Sequence, residues 1–272
     1  MIKKIIITES QLKLLIKEEL GILEGIHDEV LKIYNRIIDD LPKREKIKED
    51  DFIIQKGSVP CSLLGHDFKI SYRYRNFQSK EVVDAYGEDN LVTGGSSYLG
   101  KYWVICEINL YGVSGVINKQ RTVEVIQHEL EHIYQEFRTQ KTIPNNMFYA
   151  KMRTDMESSN ENRRKIGRLI YGCLKSEQEG FINGLYSYCM VDNFQTPPYD
   201  YSNIKNSEAW KLYSEIVDVY KELQNNSEML NILKEYKWSI KKIEKHIDNF
   251  IKRIGRVLIK VNNDKNLKGW RK

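Results

Sequence analysis

The stretch Val123 to Phe137, VEVIQHELEHIYQEF, constrains this chain more than any other. Val123, Ile126, Leu130, Ile133, Tyr134 and Phe137 recur at intervals of three and four, so the segment reads as a helix with one packed apolar stripe. Within it His128, Glu129 and His132 stand in the order H-E-x-x-H. Two His at this spacing project from nearly the same helix face, one turn apart. Two neutral imidazoles so placed hold a single Zn²⁺ at about 2.0–2.1 Å each. Glu129 follows the first His directly, so it sits beside the metal and not on it, placed to take a proton from a water there. A helix rich in charged residues also produces H-E-x-x-H by chance. Here the chain has five His, two of which fall at this spacing, and a strand-like run precedes the helix.

On these residues the segment resembles the active-site helix of the zincin metallopeptidases. The longer signature of that family is fitted by Val125, Ile126, Gln127, His128, Glu129, Leu130, His132, Ile133 and Tyr134. Glu131 departs from it, being charged where the family has an uncharged residue, and is expected to point to solvent. The resemblance implies zinc-dependent peptide hydrolysis, with Glu129 as the catalytic base and His128 and His132 as metal ligands. It also implies a cleft edged by a strand just before the metal helix, against which an extended peptide pairs. That role falls on the strand ending near Tyr111.

Catalytic zinc wants three protein ligands and one open position. The metzincin extension with a third His is absent after His132, and the His that remains downstream is His246, in a different helix. The gluzincin arrangement instead takes a carboxylate from the next packed helix, and Ser176 to Met190 carries Glu177 and Glu179. Glu179, followed by Gly180 and then by Asn183, resembles the family's ligand Glu, small residue and polar residue one turn later. The resemblance therefore implies Glu179 as the third ligand, with Asn183 orienting a ligand His. Glu177 is held in reserve, because Gly180 also lies one turn from it. An oxyanion-stabilising side chain is needed too. Tyr149 and Tyr186 are the nearest by sequence, and neither is assigned that role.

Composition bounds the rest. At 272 residues and 41% hydrophobic the chain is long enough and apolar enough to bury a core. A net charge of +5, with Lys and Arg spread among many acids and the basic excess most visible in Lys252-Arg253 and Lys268 to Lys272, reads as a solvated helix face and tail. Such a balance argues against nucleic acid as a partner. Cys61, Cys106, Cys173 and Cys189 are scattered without C-x-x-C spacing, which points to reduced, mostly buried thiols and a reducing compartment. No run approaches the apolar length of a membrane span, and Ile5-Ile6-Ile7 is too short for a signal-peptide core.

Along the chain, Thr8-Glu9-Ser10-Gln11 reads as a capping box opening an amphipathic helix to Leu20. A second helix is expected over Glu24 to Asp40, ended by Leu41-Pro42. The opening, Lys3 to Leu20, also resembles the first residues of many proteins from tailed phages of Bacteroidetes-type bacteria, which implies a host-cytoplasmic or virion setting and phage or host proteins as partners. Phe68, Ile70, Tyr72 and Tyr74 alternate with polar residues as a strand with one wet face, Val82 to Tyr86 is a shorter candidate, and Lys101 to Tyr111 is the best strand. Thr93 to Ser97 reads as a turn, and Arg138 to Tyr149 as a loop. Helices follow over Asn160 to Leu174, Ser176 to Met190 with Ser176 as N-cap, Ser207 to Leu223, Ser227 to Tyr236, and Trp238 to Val261.

The expectation is an α+β, zincin-like fold: a small, twisted, mostly antiparallel sheet on an active-site helix, with a mainly helical C-terminal part. The segments are N-terminal helices over 1–45, the metallopeptidase core over 46–195 and a helical region over 196–272. The implied activity is that of a cytoplasmic zinc metallopeptidase acting on a peptide or protein. The alternative is the same fold used as a structural or interaction protein, such as a virion component.

Overall fold

Apolar residues recurring at period two in β-strands over 55–63, 66–77 and 103–113, and at three and four across the helices, set up two cores. The computed structural model describes residues 27–41, 55–63, 65–77, 94–100, 103–113, 116–139, 147–191 and 199–267. The expected first helix to Leu20, the linker over 43–51 and the strand candidate Val82 to Tyr86 lie wholly or largely outside these residues. The architecture is mixed α+β. In chain order it runs α1 (27–40), β1 (Gln55–Leu63), β2 (His66–Phe77), β3 (Gly94–Gly100), β4 (Trp103–Val113), β5 (Val116–Ile117), α2 (Lys119–Thr139), α3 (Met147–Met156), α4 (Glu161–Cys173), α5 (Lys175–Met190), α6 (Glu208–Leu223), α7 (Ser227–Glu235) and α8 (Ile240–Leu267).

The sheet has the order β1-β2-β4-β3, with β5 folded back on β4. β1 and β2 pair antiparallel through a tight turn, where Gly65 takes φ +78, a conformation open to glycine at no steric cost. β2 and β4 are parallel, whereas β3–β4 and β4–β5 are antiparallel. Ile70, Tyr72 and Tyr74 of β2 and Cys106, Ile108 and Leu110 of β4 are buried on one face, while Ser71, Arg73 and Asn109 between them are exposed. The buried face receives α1 through Val30, Ile33 and Ile37, and α2 through Val123, Ile126, Leu130 and Ile133. Arg36 at the C-terminal end of α1 donates to Pro60 O at 2.7 Å, tying that helix to the edge strand β1.

Two sequence expectations for this region are corrected. Gly94 to Ser97, expected as a turn, forms the first half of β3, paired in register with Glu107 to Asn109 and Cys106 of β4. Gly and Ser carry no alternating pattern, so the ladder to β4 and not side-chain chemistry makes them a strand. β4, expected to edge the cleft, lies between β2 and β3 and uses both sides for pairing. The edge beside α2 therefore belongs to β3, which contacts that helix along its length.

The second core is helical. It takes in Met152 of α3, Ile166, Leu169 and Ile170 of α4, Ile182 and Leu185 of α5, and the inner faces of α6, α7 and α8. Thus α3 to α5, placed with the sheet by sequence, pack with the C-terminal helices. Arg138 to Tyr149, expected as a loop, carries the end of α2 and the first turn of α3. Asn160, Ser207 and Asn226 cap α4, α6 and α7 by accepting from the backbone N–H three residues on. Each such cap satisfies a donor that the helix leaves free, worth about 1 kcal/mol. Ser176, the expected cap of α5, lies inside that helix, because Leu174 occupies the cap position without a side-chain bond. All four Cys are free and buried. Among the described residues no helix is long and apolar enough to cross a membrane.

Candidate metal centre

Between the two cores runs α2, buried from Arg121 to Leu130 without a break. Its apolar stripe faces the sheet and its polar stripe faces α5. Burying polar groups is costly unless they are paired, so each of these side chains has to be accounted for.

α5 comes close to α2 because it presents glycines. A Cβ at Gly184 would stand 2.9 Å from the Glu124 carbonyl oxygen, and one at Gly180 would stand 2.7 Å from His128 Nδ1. Any larger residue at either position would push the helices apart. Matching 184 with 124 and 180 with 128 makes the two helices antiparallel, stepping together one turn at a time.

At the Gly180 end three side chains converge. His128 Nε2 and His132 Nε2 lie 3.0 Å apart, and Glu177 Oε2 is 3.6 Å from the first and 3.4 Å from the second. Ligand atoms set about 2.0–2.1 Å from a tetrahedral Zn²⁺ lie about 3.3 Å from one another. The three observed separations are therefore those of one face of a zinc coordination tetrahedron. Glu177 Oε2 is buried and has no hydrogen-bond partner, and neither has His128 Nδ1, which lies against Gly180. An unpartnered buried carboxylate oxygen aimed between two imidazoles fits a cation there. These three residues form a candidate metal-binding group.

Electrostatics agree with this arrangement. Burial alone would pull the His132 imidazolium down, but the neighbouring carboxylate of Glu177, helped by Glu129 and Glu131, raises it to about 9. Burial would likewise raise the Glu177 carboxyl, yet the two imidazoles beside it hold it well below the ordinary carboxylate range. Glu177 also stands in the first turn of α5, where the helix dipole favours negative charge. Glu129 is buried next to this group, close enough to raise both the His132 imidazolium and the Cys106 thiol of β4.

The structure separates the two acids of α5. Glu179, expected as the third ligand, turns away from the histidines. It accepts from Gln135 Nε2 at 3.2 Å and pairs with Lys175 and Arg253, each at 3.6 Å. Residues two apart on a helix point about 200° apart, so Glu177 and Glu179 cannot both face the two histidines; Glu179 meets α2 at Gln135 instead. Glu177 shares its face with Gly180, one turn on, and that face is the one closed against His128. Asn183, expected to orient a ligand His, instead bonds Glu131. Glu131, expected in solvent, is buried, bonded by Asn183 and by Gln135 Nε2 at 3.3 Å. Burial raises its carboxyl to about 7 against the pull of those bonds. The charged residue that departs from the zincin pattern is thus absorbed by a polar pair on α5 and α2.

Of the tyrosines, Tyr186 bonds Asp264 at 2.9 Å and belongs to the α5–α8 contact. Tyr149 reaches the centre, since burial and then the charge of Glu177 raise its phenol, and it bonds Ser176. Tyr171, at the end of α4, was not singled out by sequence. Its phenol is raised far above the usual range by burial and then by the charge of Glu177. The signal was present as Tyr171 six residues before Glu177, across a helix break that sequence did not locate to one residue. Phe181 closes another side, its ring 4.4 Å from that of His128. His246 is elsewhere, stacked on Trp238.

No protein-family model, no curated protein and no solved structure matches this chain.

Proposed function

We propose that the protein is a zinc-dependent metallopeptidase of zincin type, with His128, His132 and Glu177 as ligands and Glu129 as the catalytic base. The observation that carries the reading is the convergence of His128 Nε2, His132 Nε2 and Glu177 Oε2 at tetrahedral-edge separations beside a buried Glu that is not part of the group. A pair of His with one carboxylate is the donor set of catalytic zinc, with a fourth position left for water. Zn²⁺ held there would acidify its water and polarise a substrate carbonyl.

The chain's own residues supply the remaining steps. Glu129 takes the proton of the attacking water and passes it to the leaving amine. Its burial keeps bulk water from competing for that proton. Tyr149 and Tyr171 bring phenols to the same space, while Phe181 limits the freedom of His128. β3 pairs with β4 alone among the described residues, and this reading assigns its other side to an extended peptide that adds as a strand.

Elemental analysis of the purified protein tests the ligand set, comparing wild type with His132→Ala, Glu177→Ala and Glu179→Ala. About one zinc per chain is expected, kept in Glu179→Ala and lost in the other two variants. A peptide-hydrolysis screen of wild type beside Glu129→Ala tests the chemistry. Zinc without hydrolysis in wild type would move the reading to a structural zinc protein.

A further inference from the structure

His128 and His132 come from the interior of α2, whereas Glu177 stands in the first turn of α5, which begins at Lys175. Helices fray first at their ends, and the leading N–H groups have no partner within the helix. At α4, α6 and α7 the side chains of Asn160, Ser207 and Asn226 meet that need as caps. α5 has no such cap, because Leu174 takes the position and its side chain bonds nothing there. Of these four helices, the one that carries a candidate ligand in its first turn is the one that starts uncapped.

The residue next to Glu177 holds this turn from another direction. Gln178 is buried, and its backbone N–H donates to Leu174 O at 3.0 Å, closing a first helical bond of α5. Its side-chain Nε2 donates back to Gly172 O, in the last turn of α4, at 3.1 Å, and across to His246 O of α8 at 3.3 Å. The Gly172 carbonyl is one that α4 leaves free at its end. A single amide thus ties the start of α5 to the end of α4 and to a third helix. Leu174 alone joins α4 to α5, and its own N–H donates to Tyr171 O at 3.0 Å.

We propose that Gln178 is a positioning residue for the metal centre: its amide fixes the uncapped first turn of α5, so that Glu177 presents Oε2 to His128 and His132. This rests on the metal-centre reading above. Gln178 points about 100° round the helix from Glu177, so it grips the turn on its flank and leaves the ligand face clear. Gly180 and Gly184 hold α5 against α2 further along, and Gln178 holds it at its start. Without the amide the turn can open, and Glu177 leaves its separations of 3.6 and 3.4 Å from the two imidazoles. Support of this kind sets the orientation of a ligand, and its loss lowers metal affinity.

Cobalt titration of the metal-free protein tests this, because Co²⁺ suits the same donors and its visible absorption follows coordination geometry. Gln178→Leu keeps a side chain of similar size and removes both bonds of the amide. Its affinity is expected to fall roughly 10-fold, with an altered visible band. Asn226→Ala removes the cap of α7 and lowers stability away from the centre, so it should keep the wild-type affinity and spectrum. Leu174→Ser added to Gln178→Leu puts a capping hydroxyl on a residue already extended at the cap position, and should recover affinity. Wild-type binding in Gln178→Leu, an equal loss in Asn226→Ala, or no recovery on adding the cap would each overturn the role of Gln178. Loss of binding in Glu177→Ala would then leave the metal centre standing. Unchanged cobalt binding in Glu177→Ala would instead remove the metal-centre reading, and the proposal with it.

Discussion

The two glycine contacts between α2 and α5 bury polar groups equally closely and treat them in opposite ways. At Gly184 the buried acid is Glu124. Its carboxylate accepts from the N–H of Glu208 at 2.8 Å and of Ala209 at 3.4 Å, and Arg121 pairs with both Glu124 and Glu208. The charge is met by a fixed cation and by the N-terminus of α6, where the dipole favours it. At Gly180, one turn along, the buried acid is Glu177, and what opposes it is a pair of imidazoles whose charge depends on protonation. A buried carboxylate with a permanent counter-charge ties helices together. One that faces imidazoles at ligand spacing, which can give up their proton, leaves room for a cation. Proximity and burial do not distinguish these cases; the permanence of the partner charge does.

The largest expected effects fall at the Gly180 end and leave the fold intact. Glu129→Ala should keep zinc while lowering hydrolysis by about 10²–10⁴-fold, read as kcat on a responsive peptide. A parallel loss of metal content would place Glu129 on the metal and not beside it. At the Gly184 end the effect should be on stability. Glu124→Ala leaves Arg121 with Glu208 alone and takes the acceptor from the Glu208 and Ala209 N–H groups, and should cost about 1–3 kcal/mol in denaturant unfolding. If metal affinity fell with it, the two contacts would be coupled and not separate.

Gly180→Ala lies between these. The added methyl meets a ring that cannot move without leaving the centre, so about 1–3 kcal/mol of overpacking is expected together with weaker metal binding. The better helix propensity of Ala offsets a part of this, about 0.5–1 kcal/mol. A variant with undiminished affinity would show that α5 can retreat without disturbing Glu177.

The smallest effect is in pH dependence. Burial raises the Glu124 carboxyl to about 7, against the pull of Arg121 and the Ala209 N–H. A folded-state value above the unfolded one near 4.5 means that the contribution is fully present below pH 4.5 and lost as pH rises through about 7. Glu124→Gln keeps an acceptor and does not titrate. The fall in stability from pH 4.5 to 7 should therefore be shallower in Glu124→Gln than in wild type, measured on the metal-free protein. Equal slopes would show that the permanent partners of Glu124 already hold it ionised throughout.

How far the sequence reads ahead depends on how local each relation is. His128, Glu129 and His132 were legible because all three sit on one helix, whose geometry places them without reference to anything else. The alternation in β2 and the helix starts near Asn160 and Ser207 were legible for the same reason, whereas the cap expected at Ser176 lies inside α5. Glu177 was visible as a candidate, but the choice over Glu179 turns on the rotation of α5 about its own axis. That rotation is set by Gly180 and Gly184 pressing on α2. The spacing Glu177-x-x-Gly180-x-x-x-Gly184 marks a single helix face and carried the signal. The resemblance to a ligand Glu followed at once by a small residue pointed instead to the neighbouring face. Glu131 was misjudged because a lone charge in a helix ordinarily faces water, and nothing local reveals Asn183 waiting on another helix. The strand at Gly94 was missed because Gly and Ser enter a ladder through their backbones.

What the sequence determined by itself is the helix that carries H-E-x-x-H, with its two imidazoles on one face and Glu129 one residue from the first. Helical period and side-chain chemistry are properties of the segment alone. Only the tertiary structure decided which carboxylate joins them and which strand lies beside the helix. Each of those depends on close approach between elements distant in the chain. The register of that approach is decided by where the glycines allow backbones to meet and by which buried charges find a partner across the gap.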